Sequence, residues 1–188
     1  KTAKFESDDT YIYHLASAEK KTICKGETAI AWDGEFIYIF AQVNDPTILS
    51  RGKDYVTGTE DAWETDGVEI WHSFGVAPDK NNKKAIKTDA FGYGKFAGKS
   101  LESANFAATE YKTAQAPESN MYYAMFKIPA KREDGTALKA GDTCYFEMQI
   151  NDLRSTEDVK NLYCSGSTKS YATYNAFVLE GAPIIAYK

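Results

Sequence analysis

The stretch Thr28-Ala-Ile-Ala-Trp-Asp-Gly-Glu-Phe-Ile-Tyr-Ile-Phe-Ala-Gln-Val43 decides the fold class of this chain. Two runs rich in apolar, aromatic and β-branched residues, 28–32 and 36–43, flank the dipeptide Asp33-Gly34. Asp-Gly between two such runs is the strongest short-range signal for a β-hairpin, because both residues tolerate the positive φ angles of a tight turn between twisted strands. The sequence therefore predicts two antiparallel strands here.

The rest of the chain continues this pattern of short strands. Turn-forming residues separate further strand-like runs at 67–74, 86–96, 121–128, 145–150 and 174–179, whereas 50–61, 98–118 and 155–169 have the composition of loops. Helical periodicity is not sustained over a full helix length anywhere. We therefore expect an all-β fold, an antiparallel β-sandwich of two sheets with an immunoglobulin-like or jelly-roll-like architecture. A barrel of similar strand count is the alternative.

The composition is that of one acidic globular domain. The 188 residues are 43% hydrophobic, enough to bury a single core, so we expect one domain over 1–188. The net charge is −5 and the Lys and Arg residues are scattered, which makes nucleic acids and anionic membranes poor partner candidates. No apolar run approaches the roughly 20 residues that span a bilayer. The chain begins at Lys1 without a Met, so we expect a mature or excised fragment, and we expect it to be monomeric.

Three cysteines, Cys24, Cys144 and Cys164, are too few for a disulfide scaffold and lack the spacing of a metal site. A bridge between Cys144 and Cys164 is possible, and buried free thiols are at least as well supported.

The segment from Trp63 to Trp71, Trp-Glu-Thr-Asp-Gly-Val-Glu-Ile-Trp, has the composition of a sugar-binding site. An indole offers a flat apolar face to the C–H face of a pyranose, and a carboxylate accepts hydrogen bonds from neighbouring hydroxyls. From Gly67 to Phe74 the residues alternate as in a strand, which places Val68, Ile70 and His72 on one face and Glu69 and Trp71 on the other.

Several segments occur in the order seen in family 9 carbohydrate-binding modules, which this chain resembles over roughly residues 25 to 180. These segments are Ala29-Ile-Ala-Trp-Asp-Gly-Glu-Phe-Ile-Tyr-Ile39, Val43-Asn-Asp-Pro46, Asp66-Gly-Val-Glu-Ile-Trp71, Phe126-Lys-Ile-Pro129, Ala140-Gly-Asp142, Phe146-Glu-Met-Gln-Ile-Asn-Asp152 and Phe177-Val-Leu179. The resemblance implies a β-sandwich that binds the reducing-end sugar of glucan or xylan chains without catalysis. It also implies a secreted bacterial protein, extracellular or at the cell surface, in which the module is linked to xylanases or other polysaccharide-degrading enzymes.

The family's site has a Trp that stacks on the sugar six positions ahead of a Glu that hydrogen-bonds it, and Trp63 and Glu69 have that spacing. Trp71 and Trp32 are expected to be structural. The family also uses a cationic side chain from the strand after the Glu, for which Lys87 and Lys95 are the candidates.

A second stacking Trp near the C-terminal end is part of the family pattern, and this chain has no Trp after Trp71. The candidates for the opposing wall are Tyr163, which we favour, and Tyr171 or Tyr174. Asn161 would supply an amide close to Tyr163. Family members often contain structural Ca²⁺, and Asp45, Glu60 and Asp61 lie where oxygen ligands could converge, although the sequence assigns no ligand set. No other cofactor is expected.

Three other functional classes are less well supported. A glycoside hydrolase needs two carboxylates about the scissile bond, but side chains two or four residues apart on one strand face are separated by roughly 7 to 13 Å, and no second acidic motif follows the one at Glu64, Asp66 and Glu69. A haem site could use His14 or His72, yet His72 shares an apolar face and is better explained as a core residue. The third alternative is a structural sandwich domain that binds no sugar.

Overall fold

The computed structural model describes residues 24–58, 63–155, 158–163 and 171–181 and the backbone of 3–6. Its strands are β1 (Ala3–Glu6), β2 (Lys25–Trp32), β3 (Phe36–Asn44), β4 (Gly67–Phe74), β5 (Lys84–Asp89), β6 (Lys95–Phe96), β7 (Glu110–Ala116), β8 (Met121–Pro129), β9 (Thr143–Ser155), β10 (Asp158–Tyr163) and β11 (Asn175–Val178). One short α-helix, α1 (Lys53–Gly58), occurs in the described part of the chain. None of the described helices is long and apolar enough to cross a membrane.

The strands form two antiparallel sheets, which confirms the predicted all-β sandwich. The first sheet has the order β1-β2-β3-β8-β7, and the second has the order β10-β9-β4-β5-β6 with β11 paired to β9. Every strand pairing is antiparallel. The predicted hairpin is present as β2 and β3, and Gly34 in its turn has a φ of 101°.

The core lies between the sheets and is built from alternate residues of each strand. In β3, Ile37 and Ile39 are fully buried, whereas the intervening Tyr38 is partly exposed. Val68 and Ile70 of β4 join the same cluster from the second sheet, as the alternation of the sequence predicts. The opposite face of the second sheet, which carries Glu69 and Trp71, therefore points away from this core.

The three strands that the sequence did not predict, β1, β7 and β10, lie at sheet edges. β7 occupies part of the predicted loop 98–118 and β10 part of the predicted loop 155–169, and each is the last strand of its sheet. An edge strand buries little side-chain area, so its sequence need not show a strong apolar pattern. The predicted run 145–150 is longer in the structure, because β9 continues to Ser155, where its last residues pair with β10.

The helix α1 lies in the predicted loop 50–61 and buries only Val56. Six residues make fewer than two turns, which is too short for an apolar periodicity to be visible in the sequence. The predicted run 86–96 is divided in the structure, because β5 ends at Asp89 and β6 starts at Lys95.

Cys24 and Cys144 are buried free thiols, which agrees with one of the two alternatives that the sequence left open. Burial raises the pKa of Cys144 to about 12 and that of Cys24 still further. Both thiols are therefore uncharged and unreactive at neutral pH. Cys164 lies outside the described residues.

Candidate functional site

Trp63 lies in the turn that leads into β4 and is partly exposed. The next residue, Glu64, fixes this turn to the segment around α1. The Tyr55 hydroxyl donates to the Glu64 carboxylate at 2.9 Å, and Arg51 Nε donates to the Glu64 carbonyl at 2.7 Å. Two hydrogen bonds from this one segment thus hold the turn that presents Trp63.

Asp66 orders the start of β4, and it also joins three further segments. Its buried carboxylate accepts hydrogen bonds from the amides of Leu49 and Leu153. Its carbonyl accepts from the amide of Ala90 at 2.8 Å. Three chain segments that are far apart in sequence therefore meet at one buried residue.

Glu69 is the centre of a polar network on the outward face of the second sheet. Oε1 accepts from Asn151 Nδ2 at 3.0 Å and lies 3.1 Å from Lys87 Nζ, and Oε2 accepts from Trp71 Nε1 at 2.9 Å. Glu69 is 1% exposed and Lys87 7%. Gln149 extends the network, because its Nε2 donates to Asn151 Oδ1 at 2.7 Å. A buried carboxylate held by three donors is a fixed, negatively charged anchor.

Glu69 and Lys87 are thus brought together by the structure, as a directly paired couple on β4 and β5. Their individual positions were predicted from the resemblance, whereas Asn151 and Gln149 were missed. The sequence did contain a pattern that could have identified Asn151 and Gln149, because Glu147, Gln149 and Asn151 alternate with apolar residues along β9. Polar residues at every second position of a central strand mark a face that does not pack on the core.

Trp71 packs on the same outward face, among Ala85 and Tyr174, and not against the other sheet. Lys83 Nζ lies 4.9 Å from the centre of the Trp71 ring and 5.0 Å from the centre of the Tyr171 ring. The Lys83 ammonium therefore bridges two aromatic faces. This arrangement supports the structural role predicted for Trp71 and places Tyr171 beside it. Tyr174, the third candidate for the opposing wall, is buried and meets Tyr171 edge to face.

The other predicted residues fall into two groups. Lys95 pairs with Thr88 and not with Lys87, so it lies on the opposite face of the sheet, where its Nζ donates to the carbonyls of Phe106 and Thr109. It orders that loop and is not brought to Glu69. Asn161 and Tyr163 belong to β10, at the register positions opposite Asn151 and Gln149; their side chains lie outside what the structure describes.

Trp32, as predicted, is structural. It packs against the core between the sheets, and its Nε1 donates to the carbonyl of Glu180 at 2.7 Å. His72 is likewise a core residue, stacked on Phe74 with ring centres 4.4 Å apart. Burial lowers the pKa of His72 to about 4, so the ring is neutral at physiological pH. These contacts account for His72 without a haem; His14 lies outside the described residues.

Asp45, Asp66 and Asp152 form a buried cluster in which one ligand oxygen of each lies within 4.8 Å of the others. Ca²⁺ takes oxygen ligands at 2.3–2.6 Å, so oxygens on either side of one ion are about 5 Å apart and the spacing fits. Asp45 Oδ2 is buried without a hydrogen-bond partner. Burial is the main cause that raises the pKa of Asp66 to about 8 and that of Asp45 to about 6.

The charges of the cluster also suit a divalent cation. Arg154 Nε donates to Asp152 Oδ2 at 3.0 Å and supplies one positive charge to three carboxylates. Three ionised carboxylates in one buried site repel one another, which costs stability and favours a cation between them. Of the three residues predicted as ligand candidates, Asp45 lies in this cluster, while Glu60 and Asp61 fall outside the described residues.

The sequence matches the model of the family described as carbohydrate family 9 binding domain-like over residues 2–175. The fold is similar to that of a family 9 carbohydrate binding module from Caldicellulosiruptor kristjanssonii in complex with cellotriose. That similarity has a TM-score of 0.67, with 17% identity, and covers 98% of this chain and 91% of the other. A structure of a family 9 module from the same organism in complex with glucose gives a TM-score of 0.66 and 17% identity, and covers 94% of this chain and 90% of that chain. No curated protein sequence matches the chain.

Proposed function

This chain belongs to the carbohydrate family 9 binding domain-like family, and we propose that it is a non-catalytic module that binds the reducing ends of plant polysaccharides of the cellulose or xylan type. The observation that carries this proposal is the preformed polar network around Glu69, six residues after a partly exposed Trp63. The ligands of the two similar structures, cellotriose and glucose, support a β-glucan as the first ligand to test.

In the proposed site Trp63 stacks on the sugar ring, and the network around Glu69 forms hydrogen bonds with the hydroxyls of the sugar. Lys87 and Asn151 are donors that Glu69 holds in place. The register supports Asn161 and Tyr163 as the opposite wall. Tyr163 pairs with Gln149, which pairs with Glu69, so two strand spacings of about 4.8 Å separate the backbones by about 10 Å.

We further propose that one Ca²⁺ is bound by the Asp45, Asp66 and Asp152 carboxylates. The ion would neutralise the cluster and stabilise the meeting point of the loops that flank Trp63, without contacting the sugar. Secretion, linkage to a larger polysaccharide-degrading enzyme and a monomeric state are the biological setting that the family suggests for such a module.

Calorimetry with glucose, cellobiose, xylobiose and their reduced alditols tests the function. We expect dissociation constants on the order of micromolar to millimolar, because a single small site loses much of its contact energy to ordering. Trp63→Ala should abolish measurable binding, whereas Phe40→Ala, which removes an exposed ring from the other sheet, should not. No heat with any sugar would identify a structural sandwich domain, and equal binding of the alditols would exclude reducing-end specificity.

A further inference from the structure

The loop between β5 and β6 presents two aromatic rings that the proposed site does not use. Phe91 and Tyr93 lie nearly parallel, with ring centres 5.6 Å apart and an angle of 15° between the planes. Phe91 is 37% exposed, and Tyr93 is partly exposed. Because Tyr93 covers one face of Phe91, a sugar that stacks on Phe91 must use its other face.

The loop that carries these rings is held by Asp89. The buried Asp89 carboxylate accepts hydrogen bonds from the amides of Phe91 at 2.8 Å, Tyr93 at 2.8 Å and Gly94 at 3.2 Å. The turn also needs Gly92, which has a φ of 71° and whose missing side chain leaves room for Thr113. The rings therefore need little further ordering when they bind a ligand, which favours binding.

The same loop is joined directly to the segment that carries Trp63. The amide of Ala90, next to Phe91, donates to the carbonyl of Asp66, three residues after Trp63. The path from Trp63 to Phe91 consists of three residues to Asp66, one hydrogen-bonded pair to Ala90 and one peptide step to Phe91. Even fully extended, this path separates the Trp63 and Phe91 Cα atoms by at most about 20 Å. A short oligosaccharide is long enough to contact both residues.

We propose that Phe91, backed by Tyr93, forms a second sugar-binding subsite. When the terminal sugar of an oligosaccharide lies at Trp63, this subsite holds a pyranose further along the same oligosaccharide. The inference rests on the proposed function, and it makes the module selective for oligosaccharides over monosaccharides. An aromatic face stacks on the C–H face of a pyranose whatever the linkage, so the subsite contributes chain-length preference more than sugar specificity.

The test compares association constants for glucose, cellobiose and cellotriose in calorimetry. We expect the wild-type protein to bind cellotriose more tightly than glucose. Phe91→Ala should lower the ratio of the cellotriose to the glucose association constant about three- to tenfold, the range of one aromatic contact. Phe91→Trp should keep or raise that ratio. The Phe91 amide still bonds Asp89 in both variants, so the loop is retained.

Phe40→Ala is the matched control. Phe40 is 41% exposed and also stacks on a tyrosine, Tyr123, with ring centres 5.9 Å apart, but it lies on the outer face of the first sheet. An unchanged cellotriose to glucose ratio in Phe91→Ala, with glucose still bound, would overturn the subsite and leave the proposed function intact. A wild-type protein that binds none of the three sugars would refute both.

Discussion

Replacing Glu69 by Gln should destabilise the protein more than an ordinary polar substitution. The change keeps the shape of the side chain but removes the charge that compensates Lys87, 3.1 Å away. The new amide group also points a donor at Trp71 Nε1 or at the Asn151 amide, which both donate to Glu69. At least one hydrogen bond is lost, and a buried ammonium is left without its partner.

The burial of the pair sets the magnitude. Removing one member of a buried ion pair costs about 3 to 5 kcal/mol, because the remaining charge stays desolvated. For a domain of this size that corresponds to a fall in Tm of roughly 6 to 20 °C. The double variant Glu69→Gln/Lys87→Met removes both charges and should recover about 1.5 to 3 kcal/mol of the loss.

Urea unfolding of the wild-type protein, Glu69→Gln, Lys87→Met and the double variant measures these free energies, with Glu110→Gln as the control. Glu110 and Lys127 are also directly paired across two strands, 2.9 Å apart, but the Glu110 side chain is 69% exposed, so its loss should cost less than about 1 kcal/mol. Equal losses for Glu69→Gln and Glu110→Gln, or a double variant no more stable than Glu69→Gln, would show that the network is not the anchor described above.

Two further predictions concern buried titratable groups. Ca²⁺ at a hundredfold excess over its dissociation constant should stabilise the EDTA-treated wild-type protein by about 2.7 kcal/mol. Asp45→Asn, which places an amide at the unpartnered Oδ2 position, should unfold at the same temperature with and without Ca²⁺. Thermal unfolding tests this, and an equal response to Ca²⁺ of Asp45→Asn and of the exposed control Asp54→Asn would contradict the assignment. Because burial lowers the pKa of His72 from 6.5 to about 4, the unfolded chain binds more protons between these values, and stability is lost as the pH falls. Urea titrations at pH 7 and 4.5 should show a loss about 2.5 kcal/mol smaller in His72→Leu than in the wild-type protein, and identical losses would disprove the argument.

Local sequence pattern was sufficient to predict the parts of the fold that bury a regular apolar face. The β2–β3 hairpin follows from Asp33-Gly34 and its flanking runs, and β4 was placed with its correct bounds, Gly67–Phe74. The edge strands β7 and β10 were missed because the packing that would impose alternation is weak at a sheet edge.

Two residues of the polar network could be named from the sequence, but the way in which the network assembles could not. Glu69 and Lys87 could be named from the resemblance, yet their contact with each other and with Asn151 depends on the register of three strands, which no local pattern specifies. The acidic cluster gave even less signal. Asp45 and Asp152 each resemble an ordinary turn residue in the sequence and meet only because the ends of distant strands converge.

The polar network around Glu69 joins residues that are remote along the chain. Glu69 and Asn151 are 82 positions apart, and Asp66 and Leu153 are 87 positions apart. Closing such long loops is entropically costly, so we expect folding to be slow compared with that of a helical protein of equal size. During synthesis the network cannot form until β9 has left the ribosome. Sugar binding would thus report that the whole domain has folded, and no fragment that ends before β9 would possess it.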